Sequence, residues 1–393
     1  MTLMTVRLQI ACVLGLYLFS FVCATYPAFA QSQAADSQTA MELSQQGRFS
    51  EAEEAWARIA AHEPENFTAQ ANLGVALSHL GRYKEASAAY GKALGIRPGD
   101  PGIELNLGLA EFKQGKFEAA LPYFNTLASA SPADPRIEAL LGISYYGAHL
   151  YAKAIPPLDA ASKNDASNGK LHYLLAEACL RSSKTDCALS EAQHLLEEDP
   201  DSAEAHMLLG EAYDGTQKSE QALAEFSAAA AANPAEPDVH FGLGYLYWKK
   251  HDYDAASLQF REELKHDPGN AQSYTYLGDI EYRNSDIPAA KADLLKAISL
   301  ESNIRLAYFD LGCVYAQLQQ MTAAITAFKQ AEALDPTEPD AHYRLGRLYL
   351  QSGKQKDADA EFAKTKTIHK QAQDTIIQKM SGGDAADALT HQP

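Results

Sequence analysis

Cysteine, tryptophan and basic charge are all scarce in this chain. Its 393 residues hold 5 cysteines and 2 tryptophans, and 33 lysines and arginines stand against 51 acids, for a net charge of −18. So acidic a chain repels phosphate backbones and anionic lipid surfaces, which disfavours nucleic-acid binding and peripheral membrane docking. Beyond residue 30 no segment is apolar enough to span a bilayer. Also missing are the zinc-protease spacing HExxH, the nucleophile elbow GxSxG, a phosphate-cradling glycine loop and the dinucleotide glycine pattern. No enzyme activity and no cofactor is expected.

The first thirty residues differ from the rest. MTLMTVR carries one positive charge, LQIACVLGLYLFSFV is uncharged and apolar, and Ala28-Phe29-Ala30 makes a small-x-small cleavage site before Gln31. Residues 1–30 are expected to be a secretory signal, with the remainder periplasmic or secreted; the alternative is an uncleaved N-terminal anchor. Losing Cys12 and Cys23 leaves Cys179, Cys187 and Cys313, an odd number and no disulfide framework.

What is present is repetition. NLGVALSHLGRYKEASAAYGKALGIRP (72–98) returns as NLGLAEFKQGKFEAALPYFNTLASASP (106–132), an offset of 34 residues. On that period the chain lays out ten repeats without insertion or deletion, starting at 33, 67, 101, 135, 169, 203, 237, 271, 305 and 339. Position 20 is alanine in all ten, from Ala52 to Ala358; position 7 is leucine in nine and position 8 glycine in eight. Position 24 is mostly a large ring and position 32 is proline in seven, from Pro64 to Pro336. Small residues let two helices approach closely, leucine and the ring fill the space between them, and proline stops the second helix.

These slots closely resemble the tetratricopeptide-repeat family, a helix-turn-helix pattern with L-G, an aromatic, A-x3-F and then P. The family's tryptophan at position 4 is replaced here. The resemblance implies an all-α, right-handed superhelical solenoid of ten 34-residue repeats over 31–372. A stacked array needs capped ends. The stripe Phe362, Thr365, Ile368, Ala372 and Ile376 predicts that the last helix runs on over 373–380 and stops at Gly382-Gly383, leaving 381–393 as a disordered tail. Repeat four is irregular: Pro156-Pro157 is expected to interrupt its second helix, His149 replaces glycine and Ala166 replaces proline, which predicts a softer joint.

FGLGYLYWKK (241–250) falls on the first helix of repeat seven. At about 100° per residue, His240, Leu243, Gly244 and Tyr247 face the interior, while Phe241, Tyr245 and Trp248 share another face. In the family that face lines a concave groove that meets ligands. By resemblance the groove displays Phe112, Tyr146, Tyr173, Phe241, Tyr245, Trp248, Tyr276, Tyr282, Phe309 and Tyr343. Its charge is segregated. Lys113, Arg136, Lys170 and Arg181 come from repeats three to five, and Glu204, Glu211, Asp214, Asp238 and Asp279 from six to eight, where a basic and apolar partner segment would suit. Asn72 and Asn106 occupy position 6, where some family members hold a peptide backbone by asparagine amides.

His172, His206, His240 and His342 all sit at position 4, so repeat phase explains their spacing. Successive first helices stand roughly 10 Å apart, too far for these rings to share one ion, and no metal site is expected. Cys179 and Cys187 lie on the two helices of repeat five, and an oxidising compartment would permit a bridge; side-chain direction leaves it open. Cys313 is expected to be small apolar filler. The function these features imply is an exported scaffold that binds protein segments in its groove. Two alternatives stay open: an accessory subunit of an envelope assembly such as a polysaccharide-export or secretion complex, and a small-ligand binder or unrecognised enzyme. Partner and oligomeric state are not legible.

Overall fold

The structure, a computed structural model, describes residues 36–132 and 134–388, with side chains to residue 377. The expected leader, 1–30, lies outside them, as do residues 389–393 of the expected tail.

The predicted period appears as ten helix pairs. Repeat one holds α1 (36–45) and α2 (Phe49–His62), repeat two α3 (Phe67–His79) and α4 (Tyr83–Ile96), and repeat three α5 (Pro101–Lys113) and α6 (Phe117–Ala130). Next come α7 (Pro135–Gly147) with α8 (Tyr151–Asn164), α9 (Gly169–Arg181) with α10 (Thr185–Glu198), and α11 (Ala203–Gly215) with α12 (Ser219–Ala232). The last four pairs are α13 (Val239–Lys249) and α14 (Tyr253–His266), α15 (Ala271–Arg283) and α16 (Ile287–Leu300), α17 (Arg305–Gln317) and α18 (Met321–Leu334), and α19 (Pro339–Gln351) and α20 (Gln355–Ala388). Two halves divide the chain within α10, one up to Leu195 and one from Leu196. Each half is a solenoid of helix-turn-helix repeats, and no helix among the described residues is long and apolar enough to cross a membrane.

Close approach within each pair explains the small residues. The ten position-20 alanines, Ala52 to Ala358, are all 0% exposed. A Cβ added to Gly244 would lie 2.7 Å from Phe260, and one added to Gly108 would lie 2.8 Å from Phe124. Five first helices are capped by Asn66, Asp100, Asp134, Ser202 and Asn270, whose side-chain oxygens accept a backbone N–H of the first turn.

The turn inside every pair places position 15 in the left-handed region, with φ from 56° at Ser183 to 73° at Gly115. Four of the ten are glycine. The other six are His149, Ser183, Gln217, His251, Ser285 and Gln319. A residue with a Cβ gives up roughly 1–2 kcal/mol in this region.

Two expectations need correction, and one irregularity was not anticipated. First, α8 runs unbroken through Pro156 and Pro157. Each proline removes one backbone hydrogen bond, but Ala154, Leu158 and Ala161, at most 1% exposed, hold the helix by packing. Second, α20 continues through Gly382-Gly383 to Ala388. Glycine lowers helix propensity by about 1 kcal/mol, yet it stops a helix only where the chain turns left-handed. The unanticipated irregularity is the first helix of repeat seven. There Asp238 takes φ 60° and α13 begins at Val239, two residues late; the Glu263 carboxylate of α14, 3% exposed, accepts the Phe241 N–H at 3.0 Å and supplies the cap.

Gln217→Gly should stabilise the fold by about 0.5–1 kcal/mol once the glycine's greater unfolded-state entropy is subtracted, and so raise the melting temperature. Gly81→Ala, at the same turn position, should lower it by a similar amount; equal shifts of one sign in thermal melts would refute the account.

Candidate functional site

The rings expected to line a groove are arranged around one tyrosine in the C-terminal half. The Tyr276 ring on α15 lies 5.0 Å from Trp248, 5.6 Å from Tyr245, 6.0 Å from Phe241 and 5.4 Å from Phe260, centroid to centroid. Trp248 Nε1 donates to Asp279 Oδ2 at 2.7 Å, and Arg283 Nε donates to the same oxygen at 2.7 Å. Burial, with the neighbouring Tyr245 hydroxyl and Asp279 carboxylate, pushes the Tyr276 hydroxyl up to about 12. Phe241, Tyr245 and Trp248 are thus half-buried filling between α13 and α15, their outer edges left in solvent.

The same holds for most of the other expected rings. Phe112 packs edge-on against Phe117 at 5.4 Å, the Tyr146 hydroxyl donates to Glu177, and Phe309 lies 5.5 Å from Phe328. Tyr173 and Tyr282 are half-buried. Of the set, Tyr343 is the most exposed ring, at 48%, and it too packs on one side against Phe362, 5.9 Å away.

The segregated charges are largely consumed within the chain. Asp214 accepts from Lys249 at 2.5 Å, Asp238 from Asn270 at 3.2 Å, and Asp279 is 2% exposed beside Arg283. Asp310 is 4% exposed; burial first, then the Asp279 charge, raises it well above its ordinary value. Glu204 and Glu211 are exposed. Among the expected bases Arg136 pairs with Asp134 at 3.0 Å and Arg181 with Glu177 at 3.5 Å.

An open site lies in the N-terminal half. A cavity of about 240 Å³ between α3, α4 and α5 is lined by Val75, Ser78, His79, Asn106, Leu109 and Lys113 among others. The His79 ring is fixed by stacking on Phe49 at 3.9 Å, and the Ser78 and Tyr90 hydroxyls bond at 3.2 Å. Asn106 and Lys113 make no hydrogen bond or ion pair among the described residues, whereas Asn72 Nδ2 donates one hydrogen to the Thr68 carbonyl at 2.9 Å. The sequence reading had Asn106 and Lys113 separately; it missed His79 and Ser78, whose signal was groove positions 12 and 13 of the preceding repeat.

Position-4 histidines bond within their own repeats: His172 to Glu191 at 2.6 Å, His206 to Glu225 at 2.7 Å, His240 to Gln259 at 2.8 Å and His342 to Glu361 at 2.7 Å. Among the described residues one group has the geometry to hold a metal ion, Glu332, His342 and Glu361, whose ligand atoms lie within 4.8 Å of one another. Cys179 and Cys187 form a disulfide with Cα atoms 5.9 Å apart, and Cys313 is a buried free thiol, pushed up to about 12 by burial. A strongly shifted carboxyl also occurs away from any of these sites. Burial and the adjacent Asp293 raise Glu281 to about 7, one of its oxygens lacks a partner, and Arg261 approaches to 3.6 Å.

Sequence models of the tetratricopeptide repeat match residues 38–101, 139–193 and 241–303, and 79–143 and 182–240; a TPR repeat model matches 312–353. Among curated proteins no match was found. Solved structures with a similar fold include YrrB, described as a TPR protein with an unusual peptide-binding site (22% identity, 45% of this chain and 91% of that one, TM-score 0.38). Others are pilF of Pseudomonas aeruginosa (17% identity, 51% and 91%, TM-score 0.48) and yeast Tom70 (14% identity, 92% and 96%, TM-score 0.40). At these levels the likeness is one of fold.

Two outcomes follow for the C-terminal half. Trp248→Phe keeps the ring but removes the donor to a buried carboxylate, and unfolding titrations should show a loss of about 1.5–3 kcal/mol; no loss would mean the Asp279 bond is idle. Glu281 has a folded value of about 7 above its ordinary 4.5, so the stability of its neutral form is present below pH 4.5 and lost as pH rises through 7. Glu281→Gln should therefore match the wild type near pH 4 and exceed it at pH 8, on the order of 1 kcal/mol, in melts across that range.

Proposed function

The chain belongs to the tetratricopeptide-repeat family, and on that premise we propose that it is an exported protein-interaction scaffold, holding a segment of a partner protein along the face of its first helices. The observation that carries this reading is the cavity of about 240 Å³ beside Asn106 and Lys113. Its volume admits one side chain. The Asn106 amide can donate to and accept from a peptide unit without reading its side chain, and Lys113 adds a positive charge at the rim. Ser78, His79 and Tyr90 are already fixed by one another and by Phe49, so little entropy is lost when a segment docks.

Export rests on the apolar leader and on the Cys179–Cys187 bridge, since such bonds persist in oxidising compartments. The ring cluster around Tyr276 contributes through its outer edges and through Tyr343, and with Asp214 and Asp279 neutralised internally it offers a partner apolar surface more than charge.

The test is capture from the native extract by the purified chain beside Asn106→Ala/Lys113→Ala, after circular dichroism shows equal helicity, with the captured segment then synthesised and titrated against both. Binding weakened at least about tenfold in the double variant is expected, a loss of about 1.4 kcal/mol or more. Equal affinity would remove the cavity from the function, and a stoichiometric complex indifferent to both substitutions would point to an envelope assembly held elsewhere.

A further inference from the structure

His342 differs from the other position-4 histidines in what faces it. Its Nε2 lies 3.3 Å from the Pro336 carbonyl oxygen, which can only accept, so Nε2 carries the hydrogen. In the neutral ring the Nδ1 lone pair then points at Glu361 Oε2, 2.7 Å away, with Glu332 Oε1 at 3.6 Å. A lone pair confronted by two carboxylates is relieved by a positive charge between them, either a proton on Nδ1 or a metal ion, and the third ligand, Glu332, is what favours the ion here. His206 has the same two partners, Glu225 at 2.7 Å and the Pro200 carbonyl at 3.2 Å, but the residue equivalent to Glu332 is Leu196. At His240 it is Ala230 and at His172 it is Ser162, so the third ligand exists once in the chain.

The three ligands come from three helices, α18, α19 and α20, and an imidazole whose other nitrogen is tied to a backbone carbonyl is oriented as ligating histidines are. A cavity of about 560 Å³, bordered by Glu332, Tyr349, Glu361 and Lys364, opens beside them and gives an ion and its remaining waters a way in. Lys364 Nζ lies 2.8 Å from Glu332 and 3.0 Å from Glu361, with 48% of its side chain exposed. It is positioned to balance the two acids and can withdraw into solvent.

We propose that Glu332, His342 and Glu361 bind one divalent transition-metal ion of the zinc type, with Lys364 as the displaceable counter-ion. One imidazole nitrogen with two carboxylate oxygens and an open position suits such an ion and disfavours magnesium or calcium, which prefer all-oxygen shells. Bound there, it fastens α18 and α19 to the long α20.

The experiment is titration of the chelator-stripped, full-length chain with zinc chloride by calorimetry, with magnesium chloride as the comparison. One saturable equivalent of zinc is expected. Glu332→Gln should weaken it by about 10–100-fold, Lys364→Met should tighten it, and Glu225→Gln, at the two-partner site of repeat six, should leave it unchanged. No saturable zinc uptake by the wild type, equal affinity in Glu332→Gln, or an equal loss in Glu225→Gln overturns the proposal. Zinc uptake by Lys364→Met alone overturns it too, because the lysine would then be the native site's own cation. Glu332 is partly exposed and its glutamine variant keeps the shape, so a folding failure at His342 does not obscure the result.

Discussion

Everything in this chain depends on how closely the two helices of each repeat approach. Ten alanines at position 20 with no exposed surface, and glycines at position 8 whose missing Cβ would lie within 3 Å of a ring or leucine from the partner helix, leave that distance no slack. Interiors packed to this density transmit a displaced methyl group as strain. The close approach fixes the rotation of each helix about its axis. It therefore decides which side chains of the first helix look toward the next repeat and which remain available to a partner.

That division has an energetic consequence in the C-terminal half. Trp248, Tyr245 and Phe241 look toward the next first helix, where Tyr276 fills the gap and Asp279 takes the indole N–H. A ring that has lost half its surface to a neighbour contributes its hydrophobic burial to the stack and retains only an edge for recognition. Acids follow the same logic. Buried beside aromatic faces, Asp279 is tolerable because Arg283 and the indole satisfy it, while burial shifts Asp310 toward its neutral form. In the N-terminal half the corresponding space between α3 and α5 is not filled, and Asn106 and Lys113 find no hydrogen-bond or ion-pair partner among the described residues.

The ten helix pairs were legible because the period is a property of sequence alone, and the small residues that enforce it are written in every repeat. Side-chain direction was legible as well; depth was not. The angle of 100° per residue puts Trp248 about 140° round the helix from the core residue Leu243, but whether that face meets water or Tyr276 depends on the gap to the next repeat, which no local rule specifies. Pro156-Pro157 misled for a related reason: proline's local penalty was visible and the packing of Leu158 and Ala161 that outweighs it was not. Repeat seven shows the converse. AEPDVH and TEPDAH read alike, yet only the first begins its helix late, with Asp238 left-handed and tied to Asn270, the last residue of its own repeat and the cap of α15.

A repeat grid also hides what it does not repeat. Averaging over ten copies shows why the fold exists, because shared residues are those the stack requires; chemistry that belongs to one place must come from residues that break the pattern. The Cys179–Cys187 bridge is such a departure: it closes a separation of only 8 residues between two helices already held by packing, where loop-closure entropy is worth about 2.5 kcal/mol against about 3 for a 15-residue loop. Lys113 beside Asn106, and Glu332 beside the recurrent histidine–glutamate pair, are departures of the same kind. In a protein whose architecture is one motif copied ten times, specificity has to be built from these singular positions, since any feature present in every repeat would bind equally well along the whole array.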